Sequence, residues 1–127
     1  MKIDVMTTDD IQSVIPLYIN YYNKHEGGCW TEETAQRRIS QVITISGSYS
    51  LIIRDDENNA IGFVMGYFKQ YDDIIGYTLE EIIIAYEHQH EGFGTFLLKE
   101  LETRVREKGA SCVELQAVKD DLHEQYY

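Results

Sequence analysis

The sequence is short of positive charge, cysteine, proline and long apolar runs, and each shortage excludes something. Eleven Lys and Arg stand against 22 Asp and Glu, a formal net charge of −11 at pH 7. A surface of that sign disfavours nucleic acid and anionic membrane and favours a cationic partner or substrate. The two cysteines, Cys29 and Cys112, form neither a C-x-x-C pair nor a cluster. They are too few for a disulfide framework and fit a reducing compartment. No apolar run approaches the roughly 18 to 20 residues that span a bilayer, and the opening MKIDVMTTDD lacks the apolar segment of a secretion signal. The expectation is a soluble, cytoplasmic chain that binds neither nucleic acid nor membrane. Repeats and Pro/Ser-rich linkers are also missing, so residues 1–127 read as one domain, long enough to bury a core.

What is present is periodicity. Residues 2–6 fit a short strand. Ile11, Val14, Ile15, Tyr18, Ile19 and Tyr22 then share one helical stripe, with Thr7 and Asp10 spaced as a capping pair. Pro16, the sole proline, predicts a kink or a late helix start, because an interior proline costs roughly 3 kcal/mol. HEGGCW at 25–30 is a connection, after which Thr31 caps a second helix that buries Ala35, Ile39, Val42 and Ile43. Apolar runs at 50–54 and 60–69 flank a polar turn at 55–59 and read as a hairpin. A strand at 78–85, a helix at 94–108 ended by Gly109, and a strand at 112–118 complete the pattern. The order β-α-α-β-β-β-α-β, with a further helix starting in KDDLHEQYY, predicts a mixed central sheet flanked by helices. This is an α+β or α/β class, with 78–118 as a right-handed crossover.

The chemistry is concentrated in EHQHEGFGTFLLKELE, residues 87–102, where two glycines separate a strand from a helix. A dinucleotide-binding turn needs a third glycine, and Leu97 occupies that place. The usual phosphate loop needs a terminal Gly-Lys-Ser/Thr, which is absent. A plain tight turn remains open. So does an acyl-CoA site, in which unpaired amides from Gln89 to Thr95 and the helix dipole hold a pyrophosphate. Gly92 and Gly94 allow close backbone approach, and the lack of Lys or Arg over 89–95 leaves the work to backbone donors.

QHEGFG at 89–94 resembles the Q/R-x-x-G-x-G/A signature of the GNAT superfamily of acyl-CoA-dependent N-acyltransferases, whose element order this chain shares over its whole length. YTLEEIIIAY before it resembles the strand of the diamine acetyltransferase branch, where a YLED stretch leads into the cofactor loop. The resemblance implies a GNAT fold, acetyl-CoA as cosubstrate and no metal. It implies that the backbone of Ile82, Ile83 and Ile84 bonds the pantetheine arm. Gln89, His90, Glu91, Gly92, Phe93, Gly94 and Thr95 would hold the pyrophosphate. Asp120 falls where many relatives have a cofactor-contacting Asn. Tyr127, after Tyr126, falls on the tyrosine that protonates the leaving thiolate. Relatives continue with a short helix, a Gly-Phe turn and a strand hairpin, so the resemblance implies a domain truncated at its C-terminus. The strand at 112–118 would then have an open edge that a second copy, in a homodimer, would cover.

Acyl transfer needs an unprotonated amine, and freeing a lysine-like amine of pKa ~10.4 at neutral pH costs about 4 to 5 kcal/mol. A cleft carboxylate can take that proton. Glu80 and Glu81 are the candidates. Strand alternation puts Glu80 on the face of Ile82 and Ile84 and Glu81 opposite. The YLED resemblance also puts Glu80 at the position of the base, so Glu80 is preferred and Glu81 held in reserve. Glu26, Trp30, Glu32 and Glu33 fall in the segment that lines the acceptor side in the superfamily, although solvated acids at a helix start explain them too. His88, His90 and Glu91 do not match the H-E-x-x-H metal pattern, and Cys29 has no partner pattern for a nucleophile. The expected activity is acetyl transfer to a primary amine, preferably a small cationic one. A peptide or protein amine is the alternative acceptor. A non-catalytic CoA-binding regulatory domain, or a small interaction domain with a structural G-x-G, is the alternative class.

Overall fold

A computed structural model describes residues 1–115, except for the side chain of His25. The chain runs β1 (Lys2–Val5), a 3-10 turn (Thr8–Asp10), α1 (Ile11–His25), α2 (Glu32–Ile43), β2 (Leu51–Arg54) and β3 (Ala60–Gln70). It continues through β4 (Ile75–Ile84), a second 3-10 turn (Tyr86–His88), α3 (Phe93–Glu107) and β5 (Ala110–Leu115). The strands form one sheet in the order β1-β2-β3-β4-β5. Its pairs are antiparallel except for the parallel β4–β5 pair, which brackets α3. The expected order of elements therefore holds across the described residues.

The helix starts follow from their caps. Thr7 and Asp10 form a capping box on the 3-10 turn that leads into α1, and Thr31 forms one with Thr34 at the start of α2. Pro16 does not delay α1, so of the two expected outcomes the late start does not occur. The helix begins at Ile11 and runs through it, with the proline exposed. Burial of Val14, Ile15 and Tyr18 offsets the lost hydrogen bond. Gly109, at φ +108, ends α3 in the left-handed region as predicted.

The sheet has a core on each face. Val14, Tyr18, Ile39, Phe63, Met65 and Ile83 pack between the sheet and the α1–α2 layer. Leu51, Val64, Tyr77, Leu79, Leu97 and Leu101 pack between the sheet and α3. Among β4's core residues, Tyr77 and Leu79 belong to the α3 side, whereas Ile83 belongs to the other. The parity changes because the register with β3 jumps: Met65 pairs with Glu81 and Gly66 with Leu79. Glu80 is the extra residue of a β-bulge, which re-aims everything after it. Gly66 makes the bulge sterically feasible, since a Cβ there would lie 2.1 Å from the Thr78 carbonyl oxygen. Among the described residues no helix is long and apolar enough to cross a membrane.

Candidate functional site

The bulge corrects the expectation that Glu80 and Glu81 face opposite ways. Both carboxylates reach the same guanidinium on the α1–α2 side of the sheet. Arg38 of α2 donates from Nη2 to Glu80 Oε1 at 3.1 Å and from Nε to Glu81 Oε2 at 3.3 Å. Simple alternation fails because the extra residue lets two consecutive side chains turn to one side.

The two acids have different surroundings. Glu81 is 5% exposed and Glu80 19%. Besides Arg38, Glu81 accepts from the Tyr18 hydroxyl on Oε2, at 3.0 Å, and from the Tyr22 hydroxyl on Oε1. Both of its oxygens are therefore occupied. Burial, then the negative charge of Glu81, pushes the two tyrosine hydroxyls well above the ordinary phenol range, so they remain donors. The Arg38 pKa is also raised: burial alone would lower it, but the Glu80 hydrogen bond and the Glu81 charge outweigh that effect. Glu80 Oε2 has no partner among the described residues. Among the described residues it is the one carboxylate oxygen of the pair without a donor.

Aromatic residues wall this site. Trp30 packs edge-on against Tyr18, with ring centroids 4.9 Å apart, and lies 6.2 Å from Tyr22. Two hydrogen bonds of 2.8 Å between Trp30's backbone and the Asn23 side chain pin the α1–α2 connection in place. Of the acids expected on the acceptor side, Glu33 is exposed and paired with Arg37. Glu32 helps line a cavity of about 440 Å³ along α1, with Ile15, Pro16, Ile19, Asn20, Asn23 and Lys24. Neither Glu80, Glu81 nor any residue of the glycine loop lines that cavity.

At the other end of β4 the chain makes the glycine turn. His90 (φ +68) and Gly92 (φ +85) are left-handed, and α3 begins at Phe93, one residue earlier than expected. Gly92 at the N-cap supplies no side-chain cap. The Phe96 amide donates to the Gly92 carbonyl, so the amides of Phe93, Gly94 and Thr95 have no intrahelical acceptor. A Cβ on Gly92 would meet nothing within 4 Å, so space stands open above the turn. Uncapped donors, a helix dipole and an open approach fit a diphosphate.

The other residues assigned to the cofactor divide. Gln89 Nε2 donates to the Ile84 carbonyl at 3.2 Å, bracing the turn against the strand. His88 Nδ1 lies 3.1 Å from Glu91 Oε1, and the His88 ring packs on Phe93. Among the described residues no group of three or more His, Cys, Asp or Glu could hold a metal ion. Ile83 pairs with Phe63, and its carbonyl points into β3, 3.0 Å from where a Cβ of Gly62 would stand. Its backbone is thus committed to the sheet, unlike the backbone of Ile82 and Ile84. Those two present their backbone to the opposite edge, where Gln89 already meets Ile84. The described pairing of β4 with β5 reaches Leu79 and Leu115, short of Ile82. Asp120, Tyr126 and Tyr127 lie outside the described residues.

Sequence reasoning missed Arg38 and assigned Tyr18 and Tyr22 only to the core. A signal existed for the arginine. It lies within the buried stripe of Ala35, Ile39 and Val42, where an unpaired charge would be costly.

Comparison with known proteins adds a family to this geometry. Residues 11–126 match the acetyltransferase (GNAT) family. No curated protein matches the sequence significantly. Among solved structures, the chain is similar to a ribosomal-protein-alanine N-acetyltransferase from Brucella melitensis biovar Abortus 2308. That likeness has 19% identity and a TM-score of 0.77, covering 99% of this chain and 88% of that one. It is also similar to an aminoglycoside acetyltransferase from an uncultured soil metagenomic sample, in complex with sisomicin. Identity there is 19% and the TM-score 0.71, covering 98% of this chain and 82% of that one. A GNAT family acetyltransferase from Staphylococcus aureus subsp. aureus USA300_TCH1516 has 16% identity and a TM-score of 0.74, covering 94% and 89%. At these identities the structures testify to the fold.

Proposed function

The chain belongs to the acetyltransferase (GNAT) family, and from that premise we propose that it transfers the acetyl group of acetyl-CoA directly to a primary amine, with Glu80 as the base. One observation carries the assignment of the base. Glu81 has both oxygens occupied by Tyr18, Tyr22 and Arg38, while Glu80 Oε2 has no partner among the described residues. In the reaction an ammonium N–H bond breaks and an O–H bond forms on Glu80. The freed nitrogen pair attacks the acetyl carbonyl carbon, the C–S bond breaks to release thiolate, and the attacking nitrogen loses its second proton to solvent, leaving a neutral amide. Tyr127 is assigned the return of a proton to sulfur by the family resemblance alone, and Asp120 a cofactor contact on the same ground.

The uncapped amides of Phe93, Gly94 and Thr95 would hold the diphosphate of the cosubstrate, with Gly92 allowing close approach. From Glu80 to Ala85 the strand spans about 16 Å at about 3.3 Å per residue. An extended arm anchored at the turn and bonded to Ile82 and Ile84 would run along this edge toward the acids.

The preferred acceptor is a small cationic amine, in keeping with the diamine branch. Two carboxylates and one guanidinium leave one negative charge at the site, and the chain as a whole carries −11. Of the three similar structures, the two whose names give an acceptor divide between a ribosomal-protein alanine and an aminoglycoside, so a protein amine is the second reading. A cytoplasmic homodimer belongs to the same proposal. Sedimentation equilibrium giving a monomer mass would remove the dimer.

The test has two steps. Acetyl-CoA at about 100 times its dissociation constant should stabilise the fold by about 2.7 kcal/mol, seen as a rise in melting temperature. No rise at millimolar acetyl-CoA would overturn the cosubstrate. Thiol release is then measured with a panel of polyamines, lysine-like amines and peptides. Peptide-only turnover would replace the preferred acceptor, and binding without any turnover would point to a regulatory domain.

A further inference from the structure

We propose that Arg38 is a positioning residue for the proton acceptor, bridging Glu80 and Glu81 so that the three groups together carry one net negative charge and Arg38 holds Glu80 by a single oxygen. The proposal rests on the reading of Glu80 as base and extends it to a residue on another element. Two carboxylates on consecutive bulge residues would otherwise share one proton, because adjacent like charges disfavour double ionisation. Arg38 lies between them, with Nη2 on Glu80 and Nε on Glu81.

The arrangement is asymmetric in a useful direction. Glu81 is further fixed by Tyr18 and Tyr22 from α1, two neutral donors that stabilise its charged form. Among the described residues, Glu80 is bonded to Arg38 alone, on one oxygen. When the acceptor's ammonium gives its proton to Glu80 Oε2, Arg38 and Glu81 remain as a neutral pair, and no second charge must be moved. Among the described residues, Arg38 of α2 is bonded to Glu80, and Glu81 is its neighbour on the strand with Tyr18 and Tyr22 of α1 bonded to it. Glu114 of β5, paired with Thr78 on the same face of the sheet, accepts from the Tyr71 hydroxyl. Opposite Glu81 on β3 stands Met65, which does not titrate.

The experiment is a carbon-13 NMR pH titration of the full chain labelled at the glutamate side-chain carboxyls. Loss of one resonance in Glu80→Gln identifies Glu80. Arg38→Gln should move its titration midpoint up by about one pH unit or more, the usual effect of removing a neighbouring opposite charge. Glu81→Gln should move it down. The double variant Arg38→Gln/Glu81→Gln should bring it back close to the wild-type position. If Arg38→Gln fails to fold, the downward shift in Glu81→Gln and the return in the double variant still decide the matter. Single variants that leave the midpoint unmoved, or shift it in the same direction, overturn the proposal. A merely structural Arg38 would lower the melting temperature without producing opposite shifts. The readout needs no turnover, so an amine panel without product would defeat the proposed function while leaving this inference to the titration. Where turnover exists, the acid limb of kcat/KM against pH should move with the NMR midpoint.

Discussion

The two ends of β4's terminal stretch treat their polar groups in opposite ways. At the bulge, Glu81 is almost wholly buried and both of its oxygens are met by protein donors. At the glycine turn, the first amides of α3 have no cap, and the residue before them is a glycine facing open space. The protein completes the hydrogen bonding of the acid beside the proposed base, and leaves donors over where a diphosphate is proposed to bind. A preorganised carboxylate needs no ligand to hold its shape, whereas an anion site gains most when its donors are otherwise unpaired.

The largest effect should come from emptying the bulge end. Glu81→Ala takes the acceptor from the buried Tyr18 hydroxyl, removes a partner of the half-buried Tyr22 hydroxyl and leaves Arg38 with Glu80 alone among the described acids. It should cost about 3 kcal/mol of stability in urea unfolding. Arg38 is 29% exposed, which holds the figure below that of a fully buried pair. Glu80→Gln should cost under about 1 kcal/mol, yet lower amine acetylation at neutral pH by about a hundredfold or more. Equal stability losses in the two variants would erase the distinction between anchor and acceptor. Acetylation unchanged by Glu80→Gln would remove Glu80 as the base.

A smaller effect is expected at the turn. Gly92 sits at φ +85, and an L-residue there costs about 1 kcal/mol. The Gly92→Ala methyl meets no protein atom within 4 Å, so that conformational cost is the whole cost to the free protein. It would, however, stand in the proposed path of the diphosphate. With tenfold weaker binding, the stabilisation by acetyl-CoA at a fixed concentration should fall from about 2.7 to about 1.4 kcal/mol. A full ligand shift in Gly92→Ala would mean that the open space above the turn is not the anion site.

These contrasts also separate what was legible in the sequence from what was not. The sheet, the three helices and the turn came from period, caps and glycines, which act within a few residues: Thr31 with Thr34, Gly109 after α3. The relation of Glu80 to Glu81 did not, because the rule of alternation assumes an unbroken ladder. The bulge is set by Gly66, on a different strand, whose missing side chain lets the Thr78 carbonyl approach. Arg38 was likewise out of reach, since its two partners lie 42 and 43 residues away. The late start expected at Pro16 does not occur for the related reason that a local cost of roughly 3 kcal/mol is small beside the burial of a whole helix face. Ile83 could not be separated from Ile82 and Ile84 without knowing which edge of β4 faces β3.

The smallest expected effect probes the strut between the two ends. The family resemblance gives Gln89 to the pyrophosphate, whereas its side-chain amide donates to the Ile84 carbonyl at 3.2 Å. A neutral hydrogen bond of this kind contributes roughly 0.5 to 1.5 kcal/mol. If Gln89 acts as a brace, Gln89→Leu should lower the stability of the free protein by about 1 kcal/mol and trim the acetyl-CoA shift only slightly. The uncapped amides would still be there, on a looser turn. If instead the side chain turns outward to hold the ligand, the free protein should be nearly unaffected and most of the loss should appear in the shift. Urea unfolding with and without acetyl-CoA separates the two. Amide hydrogen exchange adds an independent sign, because a lost brace should speed exchange over residues 90–95 in the free protein. Unchanged exchange together with a diminished ligand shift would return Gln89 to the ligand, and would extend the polar groups left for that ligand beyond the backbone.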